Sequence, residues 1–273
     1  MNNKIKRLMP IIAVIGAVSS NAQAQVIDLD FSNPVTAADY TNRTYGPAWS
    51  GNSLNFTNVS TGVDAILTVT TESGVSMDGI FADYKSTTAG SPNGDLGFRY
   101  EASAYGEATV TATLKFYESG SNFTTAKVLS SFRLMMYDVD GESVQSEGAT
   151  FFKDDGLVSY QLSTDPSAIV SANSSVSGEV KFTGGGVNVS ETDSSGAFLV
   201  NYMNTSSVRM EMYSNTYRDS PLPNGVFTAF DGDLSMFGGS DKNFGTPNEV
   251  VPEPSSTALL GLGALGLLVR RKR

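Results

Sequence analysis

The chain has 273 residues, with 18 Lys and Arg against 28 Asp and Glu, no His and no Cys. Without His or Cys the usual zinc sites, Ser-His-Asp and Cys-His triads and disulfide scaffolds are excluded. The fold must rest on its core, and acid–base chemistry on carboxylates, hydroxyls, Lys or Tyr. Setting aside three bases at the start and four at the end leaves 11 bases against 28 acids, a net charge of −17. Such a surface repels nucleic acid and anionic membranes and favours cations, so nucleic-acid binding is not expected.

Residues 1–24 read as a secretory signal peptide. Lys4, Lys6 and Arg7 form a basic start, Leu8 to Val18 an apolar run, and Ala22-Gln23-Ala24 the small-x-small site that signal peptidase accepts before Gln25. Residues 25–246 then form the ectodomain, long enough to bury a core without disulfides. Near its start lies Asp28-Leu29-Asp30, within a candidate strand Ile27–Phe31, and near its end Asp231-Gly232-Asp233. These two Asp-x-Asp pairs are expected either to share a cation or to be outward polar positions. The single Trp, Trp49, sits with Tyr45 in the loop-like Tyr45-Gly46-Pro47-Ala48-Trp49-Ser50-Gly51. Either this pair stacks on a sugar ring, or it caps the edge of the core.

Strand signals follow along the chain. Ala65–Thr70 and Gly79–Tyr84 are candidates, and Thr109 to Phe116 alternates strictly, with Val110, Ala112, Leu114 and Phe116 on one face. Phe132, Leu134 and Met136 give a strand leading to Asp138. Further candidates are Val158–Leu162, Glu179–Phe182, Ala197–Tyr202, Ser207–Tyr213, Val226–Phe230 and Leu234–Phe237. Tyr213, Tyr217 and Arg218 form a second aromatic cluster suited to a sugar. Clusters such as Gly184-Gly185-Gly186 and Pro223-Asn224-Gly225 mark turns, as does Asp154-Asp155-Gly156. The predicted fold class is all-β: an antiparallel β-sandwich of jelly-roll type, flanked by the N-terminal signal helix and a short C-terminal hydrophobic helix.

The segment Tyr137-Asp138-Val139-Asp140-Gly141-Glu142, with Glu147 beyond, is the best local candidate for a site. Carboxylates at i and i+2 of an extended chain share a face at about 6.6 Å, and Gly141 permits a turn bringing Glu142 or Glu147 round. Asp138, Asp140, Glu142 and Glu147 thus point to calcium as a cofactor, which takes oxygen ligands. The alternative is a solvated acidic hairpin.

Beyond Thr246 the composition changes. Residues 247–256 read as a linker containing Pro252-Glu253-Pro254, and residues 257–273 as an apolar anchor ending in Arg270-Arg271-Lys272-Arg273. The apolar stretch Ser256 to Val269 would span roughly 21 Å as a helix, short of a hydrocarbon core of about 30 Å, although the basic cluster can snorkel to the interface. Together these features resemble the PEP-CTERM sorting signal of Gram-negative bacteria: a Pro-Glu-Pro motif, a short apolar helix and a basic terminus. The resemblance implies export, transient anchoring in the inner membrane, and recognition and removal of the tail by an exosortase. It also implies a final place at the cell surface or in an exopolysaccharide matrix. Expected partners are signal peptidase, the exosortase and an exopolysaccharide. The ectodomain is expected to be a non-enzymatic structural or binding component. The alternative is a carbohydrate-binding module or a carboxylate-dependent polysaccharide hydrolase.

Overall fold

Segments of alternating polarity pair into two facing sheets in the computed structural model, which describes residues 26–35, 53–72, 75–82, 94–102, 106–142, 144–190, 192–216, 226–238 and 242–250. In chain order the strands are β1 (Ser53–Ser60), β2 (Val63–Thr71), β3 (Val75–Ala82), β4 (Leu96–Ala102), β5 (Gly106–Glu118), β6 (Leu129–Tyr137), β7 (Gly141–Glu142), β8 (Gln145–Phe152), β9 (Leu157–Leu162), β10 (Ser171–Asn173), β11 (Glu179–Thr183), β12 (Phe198–Thr205), β13 (Ser207–Thr216), β14 (Val226–Asp231) and β15 (Asn248–Glu249). Sheet one runs β1-β2-β5-β13-β8-β11-β10, with β7 appended to β8. Sheet two runs β15-β9-β12-β6-β14-β4-β3. The strand pairings are antiparallel. The result is an all-β antiparallel sandwich. From β5 to β14 the long strands switch sheets repeatedly, so successive strands mostly face one another across the core rather than pair.

The period-two pattern is what forms the core. Val110, Ala112, Leu114 and Phe116 of β5 are fully buried, and β13 matches them with Val208, Met210 and Met212. Each large apolar side chain so buried stabilises the fold by about 1.5–3 kcal/mol. Aromatic contacts join the layers, two of them close. Phe182 of β11 stacks on Phe198 of β12 at 3.8 Å and 5°, and Phe116 of β5 meets Phe132 of β6 edge-on at 5.1 Å.

Sheet two is buried on both faces near its middle. Met135, Tyr137, Leu199 and Ala229 point away from the main core and form a smaller cluster under Leu234, Met236, Phe237 and Phe244. That second cover explains why β6 and β12 read as unbroken apolar runs (Leu134-Met135-Met136-Tyr137 and Phe198-Leu199-Val200) rather than as alternation.

The structure departs from the sequence expectation in several places. Ile27–Phe31 is not a continuous strand but makes single bridges, Ile27 to Phe132 and Leu29 to Gly232. Its Phe31 wedges between Phe56 (5.4 Å) and Phe230 (5.5 Å). Leu234–Phe237 is not a strand either: Ser235–Phe237 is a 3-10 turn, entered through Leu234 at φ 62°. The cause is the Asp231 carboxylate, which gathers the N–H groups of Asp233, Leu234 and Met236 and so holds the chain in a tight turn. Strands β1, β4 and β8 carry no expectation from the sequence. The sheet also reaches past Thr246, since β15 pairs with β9 inside the segment 247–256 assigned to the linker. The signal helix over 1–24 and the C-terminal helix over 257–273 lie outside the described residues. Among the described residues, no helix is long and apolar enough to cross a membrane.

Candidate functional site

The acidic segment divides between a turn and the sandwich interior. Asp138, at φ 60°, and Asp140 lie between β6 and β7, while Glu142 ends β7 and is exposed. Gly141 is required there, because a Cβ would stand 2.5 Å from the Gln145 carbonyl and 2.7 Å from that of Gly185. The turn is therefore clamped between β8 and the Gly184-Gly185-Gly186 segment. Asp140 is 4% exposed, and its Oδ2 accepts the Val189 N–H at 2.7 Å. Burial pushes its pKa up, the Glu142 charge adds to this, and the Val189 and Gly141 N–H groups oppose it.

Glu147 is not part of this turn. It belongs to β8, where it pairs with Ser214 of β13, and Gln145 pairs with Thr216. The same register places Phe151 beside Met210 and Ala149 beside Met212, all buried in the core. Alternation along the strands then directs Glu147, Gln145, Ser214 and Thr216 to the same inner face. At this end of sheet one the interior changes from apolar to polar. Opposite, in sheet two, Tyr100 of β4 and Thr228 of β14 are fully buried. Thr228 neighbours the Tyr100 phenol, and neither hydroxyl has a hydrogen-bond partner among the described residues.

The electrostatics of this interior end are unusual. Glu147 Oε1 accepts from Gln145 Nε2 at 3.2 Å, but Oε2 has no hydrogen-bond partner among the described residues. The same holds for Gln145 Oε1, Ser214 Oγ, Thr216 Oγ1, Tyr100 OH and Thr228 Oγ1. Burial raises the Glu147 pKa well above the usual carboxylate range, and the charges of Asp140, Asp138 and Glu142 raise it further. Tyr100 is also raised, by burial first and by Glu147 second, so the two groups sense each other across the sheets.

The four-carboxylate calcium site predicted from the sequence is thus split. Asp138, Asp140 and Glu142 stay at the turn and Glu147 faces inward. Among the described residues no three carboxylates are grouped so as to hold a metal ion. The sequence missed Ser214, Thr216, Gln145, Tyr100 and Thr228 because they approach only through sheet register. The one available signal was the break of the β13 inner row from Met212 to Ser214 and Thr216.

The terminal Asp pairs do meet, as Leu29 N–H donates to the Gly232 carbonyl at 3.1 Å. Oxygens of Asp30, Asp231 and Asp233 are engaged in turns, however. Asp30 Oδ1 accepts from Ser32 N–H, and both Asp231 oxygens accept backbone N–H groups. Tyr213 is likewise occupied: it is 3% exposed, its hydroxyl donates to the Phe182 carbonyl at 2.7 Å, and Lys181 Nζ lies 4.0 Å over its ring. Its companions Tyr217 and Arg218, like Tyr45 and Trp49, lie outside the described residues.

The C-terminal end carries the functional identification. β15 pairs with β9, and Val250, 5% exposed, donates its N–H to the Val158 carbonyl at 2.8 Å. Val250, the last described residue, is thus docked on sheet two of the β-sandwich. The tail matches the PEP-CTERM protein-sorting motif over residues 250–273, so the chain carries that motif and is an exported protein sorted by an exosortase to the surface or exterior of the cell. Pro252, Glu253, Pro254 and the basic residues Arg270, Arg271, Lys272 and Arg273 all fall within the match, though outside the described residues. No curated protein matches the chain. Among solved structures, the N-terminal domain of the Streptococcus gordonii adhesin Sgo0707 is similar at 14% identity and a TM-score of 0.37, over 66% of this chain and 46% of that one. The chain therefore spans under half of that structure.

Proposed function

We propose that the chain is a non-catalytic surface protein of a Gram-negative bacterium, a structural or binding component of a polysaccharide matrix. Its signal peptide over 1–24 starts export. Its tail anchors it briefly in the inner membrane until the exosortase removes the basic end. The single observation that carries this reading is the sorting motif over residues 250–273, whose first residue, Val250, is docked on sheet two. The order β5-β13-β8-β11 in one sheet and β6-β12-β9 in the other supports a jelly-roll wrapping.

The runner-up, a carboxylate-dependent hydrolase, draws less support. Such an enzyme needs two carboxyls that reach its substrate, one with a raised pKa. Among the described residues, Glu147, Asp140 and Asp231 have raised pKa at 4%, 4% and 0% exposure, where a polysaccharide chain does not reach them; Asp155 and Glu211, also raised and only part-buried, both lie beside the Arg209 charge, which opposes the rise. The test is to express the full chain in its host with Pro252, Glu253 and Pro254 all changed to Ala. Loss of the processed exterior form is expected, and unchanged release would overturn the sorting part. Exported wild-type protein, incubated with matrix polysaccharide, is expected to co-sediment with it and to release no reducing ends.

A further inference from the structure

Six buried oxygen atoms without a hydrogen-bond partner among the described residues lie on the inner faces of the two sheets, and Tyr100 in one sheet feels the charge of Glu147 in the other. Sheet one supplies Glu147 Oε2, Gln145 Oε1, Ser214 Oγ and Thr216 Oγ1, from two cross-strand pairs of β8 and β13. Sheet two supplies Tyr100 OH and Thr228 Oγ1. Side chains directly opposite on one sheet face lie about 4.5–5.5 Å apart at Cβ, so the four donors of sheet one lie within reach of a single point.

Native interiors seldom leave one such group without a partner, because an unpaired buried polar group keeps its desolvation cost. Six at one end of one core mark a place built to hold something. Its chemistry follows from the donors. All are oxygen, and one is a carboxylate. Among the described residues nothing cationic answers it: the charges acting on Glu147 are those of Asp140, Asp138 and Glu142, all negative, and the one opposing contact is the neutral Asp140 backbone N–H. An anion is repelled there and an apolar ligand would leave every oxygen unpaired.

We propose that this interior cluster is a binding site for one hard cation, with the Glu147 carboxylate as its anionic ligand and Gln145, Ser214 and Thr216 as neutral oxygen ligands from the same sheet. Tyr100 and Thr228 complete the coordination from the opposite sheet, directly or through water. Sodium and calcium share this oxygen chemistry, at the low-affinity end for calcium because only one carboxylate takes part. The site differs from an acidic surface loop: Glu142, exposed on the turn, acts on it by charge alone, and the ion links the two layers of a chain that has no disulfides. This inference does not rest on the matrix role.

The test is thermal unfolding of the full exported chain in choline chloride, sodium chloride and calcium chloride at matched ionic strength. One of the two metal salts is expected to raise the midpoint by at least about 4 °C over choline, and which one does so identifies the ion. Calorimetric titration with that ion should give one site per chain. Glu147→Gln, which keeps shape and removes the charge, is expected to abolish the response, and the milder Thr216→Val to weaken it. Glu142→Gln should leave it intact. A wild-type midpoint that is the same in all three salts overturns the proposal, as does a response that survives Glu147→Gln. A response lost in Glu142→Gln but kept in Thr216→Val also overturns it, moving the ion to the surface turn.

Discussion

The Val250 N–H donates to the Val158 carbonyl at 2.8 Å, and Pro252 follows two residues later. The edge of sheet two is therefore fastened up to the sorting motif, with almost no free chain between sandwich and tail. Processing near the motif should leave the fold untouched. Intact-mass measurement on the extracellular fraction is expected to show a protein that begins at Gln25 and lacks Arg270 to Arg273. Recovery of the full basic tail outside the cell would contradict exosortase processing.

The Phe182–Phe198 stack joins β11 to β12 across the core. Phe182 also meets Phe151 and Tyr160 edge-on at 5.9 and 5.3 Å. Phe182→Ala removes all three contacts and leaves a cavity that fixed strands on both sides cannot close. A loss of about 3–5 kcal/mol is expected, read as a lower urea midpoint at unchanged slope. A loss below about 1 kcal/mol would mean that the two sheets are not held together here.

Gly148 sits beneath Tyr213 on the outer face of sheet one. A Cβ at this position would collide with the Phe182 carbonyl and the Tyr213 hydroxyl. Gly148→Ala should therefore displace the Tyr213 ring and break its bonds to Phe182 and Thr183. The expected cost is about 1–3 kcal/mol, by urea denaturation. Tyr213→Phe in the same background should cost less than it does in the wild type, because the bonds it removes are already lost.

Stability should rise on mild acidification. Burial lifts Asp231 from 3.8 to about 7, and Glu147 and Asp140 are raised in the same direction. A carboxyl whose pKa is higher in the folded state favours folding fully below its unfolded value, and that contribution is lost as pH rises through the folded value. For Asp231 the window runs from about 4 to about 7. Unfolding free energy measured in choline buffer is expected to be larger at pH 5 than at pH 8. Asp231→Asn should flatten that difference, and a steeper slope in the variant would reverse the assignment.

Asp231 also nucleates the turn that closes the smaller core. Asp231→Ala would orphan three backbone N–H groups under Leu234 and Phe237, each worth about 1–3 kcal/mol when buried and unpaired. It should cost clearly more than Asp231→Asn, which keeps one acceptor oxygen. Equal losses from the two variants would show that the carboxylate does not organise the turn.

The sequence by itself determined whatever repeats along the chain at short range. Strict alternation in Thr109 to Phe116 and Ser207 to Tyr213 needed only the two-residue period of a strand, and both segments are strands with the expected faces buried. The sorting motif was equally legible, because Pro252-Glu253-Pro254 and Arg270 to Arg273 are contiguous and are recognised as linear sequence. What only the tertiary structure decided depends on register between distant strands. Glu147 read as part of an acidic loop, since Gln145-Ser146-Glu147-Gly148 has no apolar alternation; its strand is buried on both faces because β13 and β11 flank it and Tyr213 covers Gly148. Glu147 meets Ser214 across 67 positions of chain, and Tyr100 senses it from the other sheet. A one-residue slip of β8 would turn its carboxylate to the outer face of the sheet. No local pattern carries that information, because it is fixed by which strands become neighbours, and that is settled by the packing of the whole core.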